Sequence, residues 1–391
     1  MSLDKEKLKA QVIAEVDRRR DELIALSLKL HDNPEIRYKE FKALGWLTDY
    51  LGSNGFTLER GICDLPTAFK ASYGSGRPVV AFLAEYDALP KMGHACGHNI
   101  IAAGSVGAAL ATKLIIDQAP GSIAVFGTPA EEGGVGKAVM VKNGAFDDVD
   151  AAMLVHPGRR NSVTVEALAC IGLDVEYFGK TAHAAASPHE GINALEALIQ
   201  AFNNINSLRQ HIMDKARIHG IITNGGEAEN VVPAYCAGKF LVRAQESGYL
   251  DKLCIRVLNC FEAAALASGA QLRYKWEDVR YDPMNNNMVM ADLFAKNYEI
   301  LGRSLDPPDP TKGFGSTDMG NVSTVLPAIH PSVSIAPMDV LTHTPEFATA
   351  AASECGHQGV IDAAKAMAMT ATDLLLDSVA MDRVKREFSG I

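Results

Sequence analysis

Residues 78–116 read PVVAFLAEYDALPKMGHACGHNIIAAGSVGAALATKLII, and this stretch decides the fold. It opens on a nearly continuous apolar run from Pro78 to Glu85, as a strand covered on both faces of a sheet requires. It closes on a run built mainly from Ala, Gly and Ser between Ile100 and Ile116, interrupted by Lys113 and short of the roughly 20 apolar residues of a membrane span. That run reads as a buried helix, spanning about Asn99 to Gln118. Strand then helix is the unit of an α/β layer protein, and the alternation recurs downstream with a strand at 122–126, a helix at 136–143 and a strand at 151–155. Upstream, residues 4–30 carry apolar positions from Leu8 to Leu30 at close to the three-to-four spacing of an amphipathic helix. A second helix is expected at 39–51 and a strand at 68–73, so a buried parallel sheet is building.

Past residue 170 the pattern changes to strand (173–178), helix (192–213), strand (217–223), strand (236–244), helix (250–268) and strand (271–276). This β-α-β-β-α-β order is that of a ferredoxin-like module. Its size suits a domain inserted into the α/β layer, which resumes with a helix at 288–301, a strand at 333–335 and a final helix at about 345–376. The expected division is therefore 1–169 with 284–391 as one discontinuous domain and 170–283 as the insert.

Composition excludes several function classes. Hydrophobic residues make up 48% and charged residues 21%, which rules out a disordered or coiled-coil chain. With 37 basic and 47 acidic residues the net charge is -10, which repels phosphate backbones, so nucleic acid is not an expected partner. The first residues, MSLDKEKLKAQV, lack the apolar core of a secretory signal. The seven cysteines are odd in number and scattered, which suits reduced thiols and a cytoplasmic location, with no membrane partner.

The residues able to do chemistry gather at strand ends, where open α/β sheets bind ligands. His94-Ala95-Cys96-Gly97-His98-Asn99 follows the strand that ends in Asp87; thiolate and imidazole are good ligands for a transition metal. Thr128-Pro129-Ala130-Glu131-Glu132-Gly133-Gly134 puts two carboxylates at another strand end, which calls for a neutralising cation. One carboxylate can ligate while the other faces the water that must lose a proton. Val155-His156-Pro157-Gly158 and His343, in Leu341-Thr342-His343-Thr344-Pro345, complete the set. Cys96, His98, Glu132, His156 and His343 suffice for two metal ions.

These motifs resemble those of the co-catalytic metallo-amidohydrolases and exopeptidases, a family that includes aminoacylase, hippurate hydrolase, auxin-conjugate hydrolases and p-aminobenzoyl-glutamate hydrolase. The likeness runs from Leu30-His31-Asp32-Asn33-Pro34-Glu35 through Asp87-Ala88-Leu89-Pro90, Gly179-Lys180-Thr181-Ala182-His183-Ala184 and Asn230-Val231-Val232-Pro233 to His343. It implies a metal-bearing, mostly parallel-sheet catalytic domain with an inserted lid that also makes a homodimer. It implies that Cys96, His98, Glu132, His156 and His343 hold two divalent ions (zinc or manganese, with cobalt acceptable), that Glu131 is the general base and that Asp87 orients a ligand. It further implies that His183 reaches the partner subunit's active site to stabilise the oxyanion, and that Asn230 and Arg243 hold the substrate. Two departures matter, the first for the ligand set, which follows the Cys-containing branch, and the second for the substrate. Glu85-Tyr86-Asp87 keeps only the Asp of the His-x-Asp found in distant relatives. Gly315-Ser316-Thr317-Asp318-Met319-Gly320-Asn321 is closer to the p-aminobenzoyl-glutamate hydrolase and dipeptidase side than to the hippurate side. The expected activity is hydrolysis of the amide bond of a dipeptide or a small N-acyl or N-aryl amino acid. The competing readings are a thiol amidohydrolase with Cys96 as nucleophile and His98 or His94 as base, and a non-catalytic relative that keeps the fold. The remaining cysteines and His31, His189, His211, His219, His330 and His357 read as structural or surface residues, with His330 the exception to watch because of its place near the Gly315–Asn321 segment.

Overall fold

The computed structural model describes residues 4–307 and 315–390. The chain forms two compact units, one of residues 4–166, 284–307 and 318–390 and the other of residues 167–283 and 315–317. In chain order the strands are β1 (Thr57–Arg60), β2 (Phe69–Ser75), β3 (Val79–Ala84), β4 (Gly121–Gly127), β5 (Ala151–Met153), β6 (His156–Gly158), β7 (Ala169–Phe178), β8 (Arg217–Asn224), β9 (Tyr235–Ala244), β10 (Gln271–Trp276), β11 (Ala328–Ile329) and β12 (Ser332–Ser334).

The first unit is built on a six-stranded sheet in the order β1-β2-β4-β3-β5-β11. β3 runs parallel to β4 and β5, and β5 parallel to β11. Period-two alternation sends Val80, Phe82 and Ala84 of β3 into one apolar core and Ala81 and Leu83 into another, so the sheet is covered on both faces. The helix His98–Ile116 is long and apolar enough by composition to cross a membrane, yet its residues lie inside the first unit's core. Its small residues permit close approach: a Cβ on Gly107 would meet Leu23 Cδ1 at 2.7 Å and Ala364 Cβ at 3.0 Å.

The sheet is mostly parallel, as expected, and carries an antiparallel edge. β2 is antiparallel to β4, and β1 antiparallel to β2. Only Gly76, Arg77 and Pro78 separate β2 from β3, whereas a parallel crossover needs a dozen or more residues. The expected helix over 4–30 is two helices, Lys5–Arg18 and Arg20–His31, and that over 345–376 is also two, Pro345–Ala351 and Glu354–Leu376, the latter capped by the Ser353 side chain on the Gly356 N–H. β6, which pairs in parallel with β12, escapes sequence reading because His156-Pro157-Gly158 carries strand-breaking residues over a ladder only three residues long.

The second unit has the order β7, helix Ala194–Arg209, β8, β9, helix Ser247–Ser268, β10, with an antiparallel sheet arranged β10-β7-β9-β8. Leu173, Val175 and Tyr177 of β7 and Phe240 and Val242 of β9 bury one sheet face against Leu198, Leu253 and Phe261 of the two helices. β8 is an edge strand, and its Ile221 and Ile222 are 63% and 42% exposed.

Candidate metal centre

The carboxyl ends of β3, β4 and β5 carry Asp87, Glu131 with Glu132, and His156 respectively, while Cys96 and His98 sit at the start of the helix that follows β3. Gly97 makes this convergence possible. It is left-handed, at φ 76°, and a Cβ there would lie 2.5 Å from Pro157 Cγ. Three overlapping triads result: Cys96, His98 and His156; Cys96, Glu132 and His343; and His98, Glu131 and Glu132, each with its ligand atoms within 4.8 Å of one another. All five residues named as ligands in the sequence thus fall in one place, with Glu131 beside them. Cys96, His98 and Glu132 each belong to two triads.

The hydrogen bonds around the cluster fix how these side chains point. His98 Nδ1 is 3.0 Å from Asp87 Oδ1, and His156 Nδ1 is 2.7 Å from the Pro157 carbonyl. An acceptor at the remote nitrogen holds the proton there and turns the Nε2 lone pair inward, the orientation that metal-binding imidazoles adopt. Asp87 also accepts the Glu132 N–H on Oδ2 at 2.9 Å, so a single carboxylate aligns a ring and the backbone of a second donor. Inside the cluster, His156 Nε2 is 3.4 Å from Cys96 Sγ, His343 Nε2 is 3.3 Å from Glu132 Oε1 and His98 Nε2 is 4.0 Å from Glu132 Oε1.

Among the described residues, buried His98 Nε2 and Glu132 Oε1 have no hydrogen-bond partner. Orphaned buried polar atoms are rare, and a thiol, imidazoles and carboxylates all facing inward fit divalent transition metals. Burial pushes the Cys96 thiol up from its ordinary value. Burial also opposes charge on His98, but Cys96 and Asp87 outweigh it and hold the imidazole well above its usual range. The Glu131 carboxyl is driven well up, first by burial and then by the Glu85 and Asp318 carboxylates.

The loop that carries the two glutamates is not regular helix. Ala130 and Val135 are left-handed at φ 60° and 57°, and Gly133 at 80°. Each non-glycine in that region costs on the order of 1–3 kcal/mol, so the surroundings must enforce the turn.

Next to the triads lies a charge network that sequence reading missed. Lys137, fully buried, places Nζ 2.6 Å from Glu85 Oε1 and 2.5 Å from Asp318 Oδ1, while Glu85 Oε2 is 3.5 Å from His98 Nε2. His330 is also buried, its ring centroid 5.5 Å from that of His156 and neither ring nitrogen hydrogen-bonded among the described residues; burial lowers its pKa to about 3. For His330 the signal was its position. For Lys137 there was none, since a lysine in a helix ordinarily faces water.

The remaining candidates belong to the second unit. His183 is exposed, and its Nδ1 accepts the N–H groups of Ala185 and Ala186 at 3.2 Å each, which leaves Nε2 as the proton-bearing nitrogen of the neutral ring. The structure brings Asn230 beside it: the Ala184 N–H donates to the Asn230 carbonyl at 3.0 Å, and His183 bridges Val231. Arg243 is near the far end of β9, donating to Ser316 Oγ at 2.8 Å and His219 Nε2 at 3.3 Å.

Known proteins share both the sequence and the fold. The model of peptidase family M20/M25/M40 matches residues 81–349. A mouse Xaa-Arg dipeptidase is 37% identical over 98% of this chain and 92% of its own length. One of the p-aminobenzoyl-glutamate hydrolase polypeptides of Escherichia coli is 32% identical over 93% of this chain and 91% of its own. Among solved structures, a Bacillus subtilis dinuclear metal-binding peptidase from the M20 family shares the fold with a TM-score of 0.71 at 19% identity, over 92% of this chain and 99% of that one.

Proposed function

The chain belongs to peptidase family M20/M25/M40, and on that premise we propose that it is a two-metal hydrolase cleaving the amide bond of a dipeptide or of a small N-acyl or N-aryl amino acid. The observation that carries the reading is the convergence of three donor triads, two of them sharing the Cys96 sulfur, on the loop that bears Glu131. Cys96, His98 and His156 would hold one ion and Cys96, Glu132 and His343 the other. Thiolate with imidazole suits zinc, while the carboxylate keeps manganese and cobalt acceptable. When bound, the two ions supply positive charge that acidifies the attacking water and polarises the scissile carbonyl.

The chain's own groups do the rest. Asp87 keeps the His98 ring and the Glu132 backbone in place, which fixes the direction of both side chains. Glu131 takes a proton from the attacking water and returns it to the leaving amine, the two halves of general acid–base catalysis. His183, with its proton on Nε2, would donate to the developing oxyanion in the site of a second copy, which makes a homodimer part of the reading. The exposed edge strand β8, with Ile221 and Ile222, is the surface offered for that pairing. Asn230 and Arg243 are read as substrate contacts, Arg243 for a carboxylate. Cys96 is read as a ligand and not a nucleophile, because two triads share its sulfur with imidazole and carboxylate donors. The 37% identity to the mouse Xaa-Arg dipeptidase supports dipeptides as the first substrates to try.

Elemental analysis of the purified chain, paired with hydrolysis of Xaa-Arg dipeptides, p-aminobenzoyl-glutamate and N-acyl amino acids before and after chelation, tests the reading. About two ions per chain are expected, with activity lost on chelation and restored by zinc or manganese. A folded chain that takes up no metal, or hydrolysis indifferent to chelation, overturns it.

A further inference from the structure

Something must enforce the left-handed turn at Ala130, which immediately precedes the proposed base, and the first unit contains the device. Segment 33–41 runs across the glutamate loop. Arg37 Nη1 donates to the Gly133 carbonyl at 2.9 Å, and the Tyr38 hydroxyl donates to the Gly134 carbonyl. At the end of the segment stands Glu40, a fully buried carboxylate. Its Oε1 accepts the Ala130 N–H at 3.0 Å and the Tyr38 N–H at 2.8 Å, and its Oε2 accepts the Thr67 hydroxyl at 2.8 Å. One side chain thus joins three segments distant in sequence and fixes the backbone one residue before Glu131 and two before Glu132. A buried carboxylate held by neutral donors, outside the donor triads, is an expensive device for mere packing.

We propose that Glu40 is a positioning residue for the hydrolysis, acting through the Ala130 backbone to aim Glu131 and Glu132. This rests on the reading of Glu131 as base and Glu132 as ligand. The chemistry of the contact says which replacements preserve it. Burial raises the Glu40 carboxyl to about 7, but a proton taken up on Oε2 leaves Oε1 accepting both N–H groups while the Thr67 hydroxyl turns to accept. Glutamine offers the same arrangement, with its amide oxygen toward Ala130 and its NH₂ toward Thr67. Aspartate keeps the charge but is one methylene too short to reach Ala130 and Tyr38 together. The determinant is therefore the reach of an acceptor and not its charge.

The experiment compares E40Q, E40D and E40A with the wild type in kcat and KM, in metal affinity by competition with a chromophoric chelator, and in hydrogen exchange of the peptide covering 129–137. E40Q is expected within about threefold of wild type throughout. E40D and E40A are expected to lower kcat at least tenfold with little change in KM, to weaken metal binding and to speed exchange across 129–137. The proposal is overturned if folded E40D or E40A keeps wild-type kcat and exchange, or if E40Q falls as far as E40A. E40D covers the case in which E40A does not fold. If the wild type hydrolyses nothing and binds no metal, the functional reading has failed, and exchange at 129–137 still decides whether Glu40 holds the turn.

Discussion

The residues proposed to act on substrate are held in opposite ways in the two units. In the first unit most donors are partly or wholly buried and tied to a neighbour: His98 and Glu132 both rest on Asp87, and His156 on the Pro157 carbonyl, with His343 alone exposed. In the second, His183 and Asn230 are exposed and held by backbone contacts between two loops, 183–186 and 230–231. A buried site with several charges cannot be altered at one position without leaving another group unpaired. An exposed loop can lose a side chain and leave the fold indifferent. Substitutions in the first unit should therefore disturb chemistry and stability together, and those in the second chemistry alone.

The largest effect expected is at Glu131. E131Q keeps the volume and hydrogen-bonding reach of the side chain but cannot carry the proton, so kcat should fall by about 10²–10⁴-fold with metal content retained. Steady-state kinetics beside elemental analysis checks this. Full activity in E131Q would remove the base from the proposed mechanism.

Next comes Lys137. Replacing it with Met leaves Glu85 and Asp318 buried without their counter-ion, and breaking such a cluster destabilises by roughly 3–5 kcal/mol. The deficit should shrink as pH falls, because the stranded carboxylates can then take up protons and shed the charge that burial penalises. Burial, with Glu85 beside it, already raises the Asp318 carboxyl above its ordinary value even though Lys137 opposes the shift. Denaturant melts of K137M at several pH values, compared with K137M/D318N, measure it. A loss below about 1 kcal/mol would mean that the interior of the first unit tolerates unpaired charge, and the contrast between the units would weaken.

His183 tests the other side. H183A should lower kcat by about 10²–10³-fold while shifting stability by no more than about 0.5 kcal/mol. Mixing H183A with E131Q sharpens the point. If His183 serves a partner's site, a hybrid dimer has one site with both an intact base and an intact oxyanion donor, and activity returns. If His183 serves its own chain, neither site in the hybrid is whole, and the mixture stays inactive.

The same contrast explains what could be read in the sequence. The apolar run of β3 and the small-residue helix after it announce a two-sided sheet because burial writes itself into composition. Cys96, His98, Glu132, His156 and His343 were legible because each sits in a short motif, after a strand or, for His343, just before a helix, and metal chemistry admits few residue types. Glu40, Lys137 and Asp318 were not, since Glu40 meets its backbone donor 90 residues away, Lys137 and Asp318 pair across 181, and each looks locally like a solvated residue. The direction of β2 was hidden for a related reason. Its apolar character is that of any buried strand, and only the shortness of the link to β3 carries the information.

The smallest effect comes from the second unit's surface and gives Lys137 its control. Lys239 Nζ lies 3.6 Å from Asp174 Oδ1 across β9 and β7, with both side chains more than half exposed. Water screens such a pair, and ordering two long side chains offsets most of its attraction, so it contributes about 0–1 kcal/mol. K239A should therefore move the denaturant midpoint barely at all, and added salt should erase what little it moves. Both lysines carry the same charge and both face carboxylates; they differ in how far water can reach them. If K239A matched K137M in magnitude, burial would not be the variable that separates the two units, and the large loss expected at Lys137 would need a cause other than stranded charge.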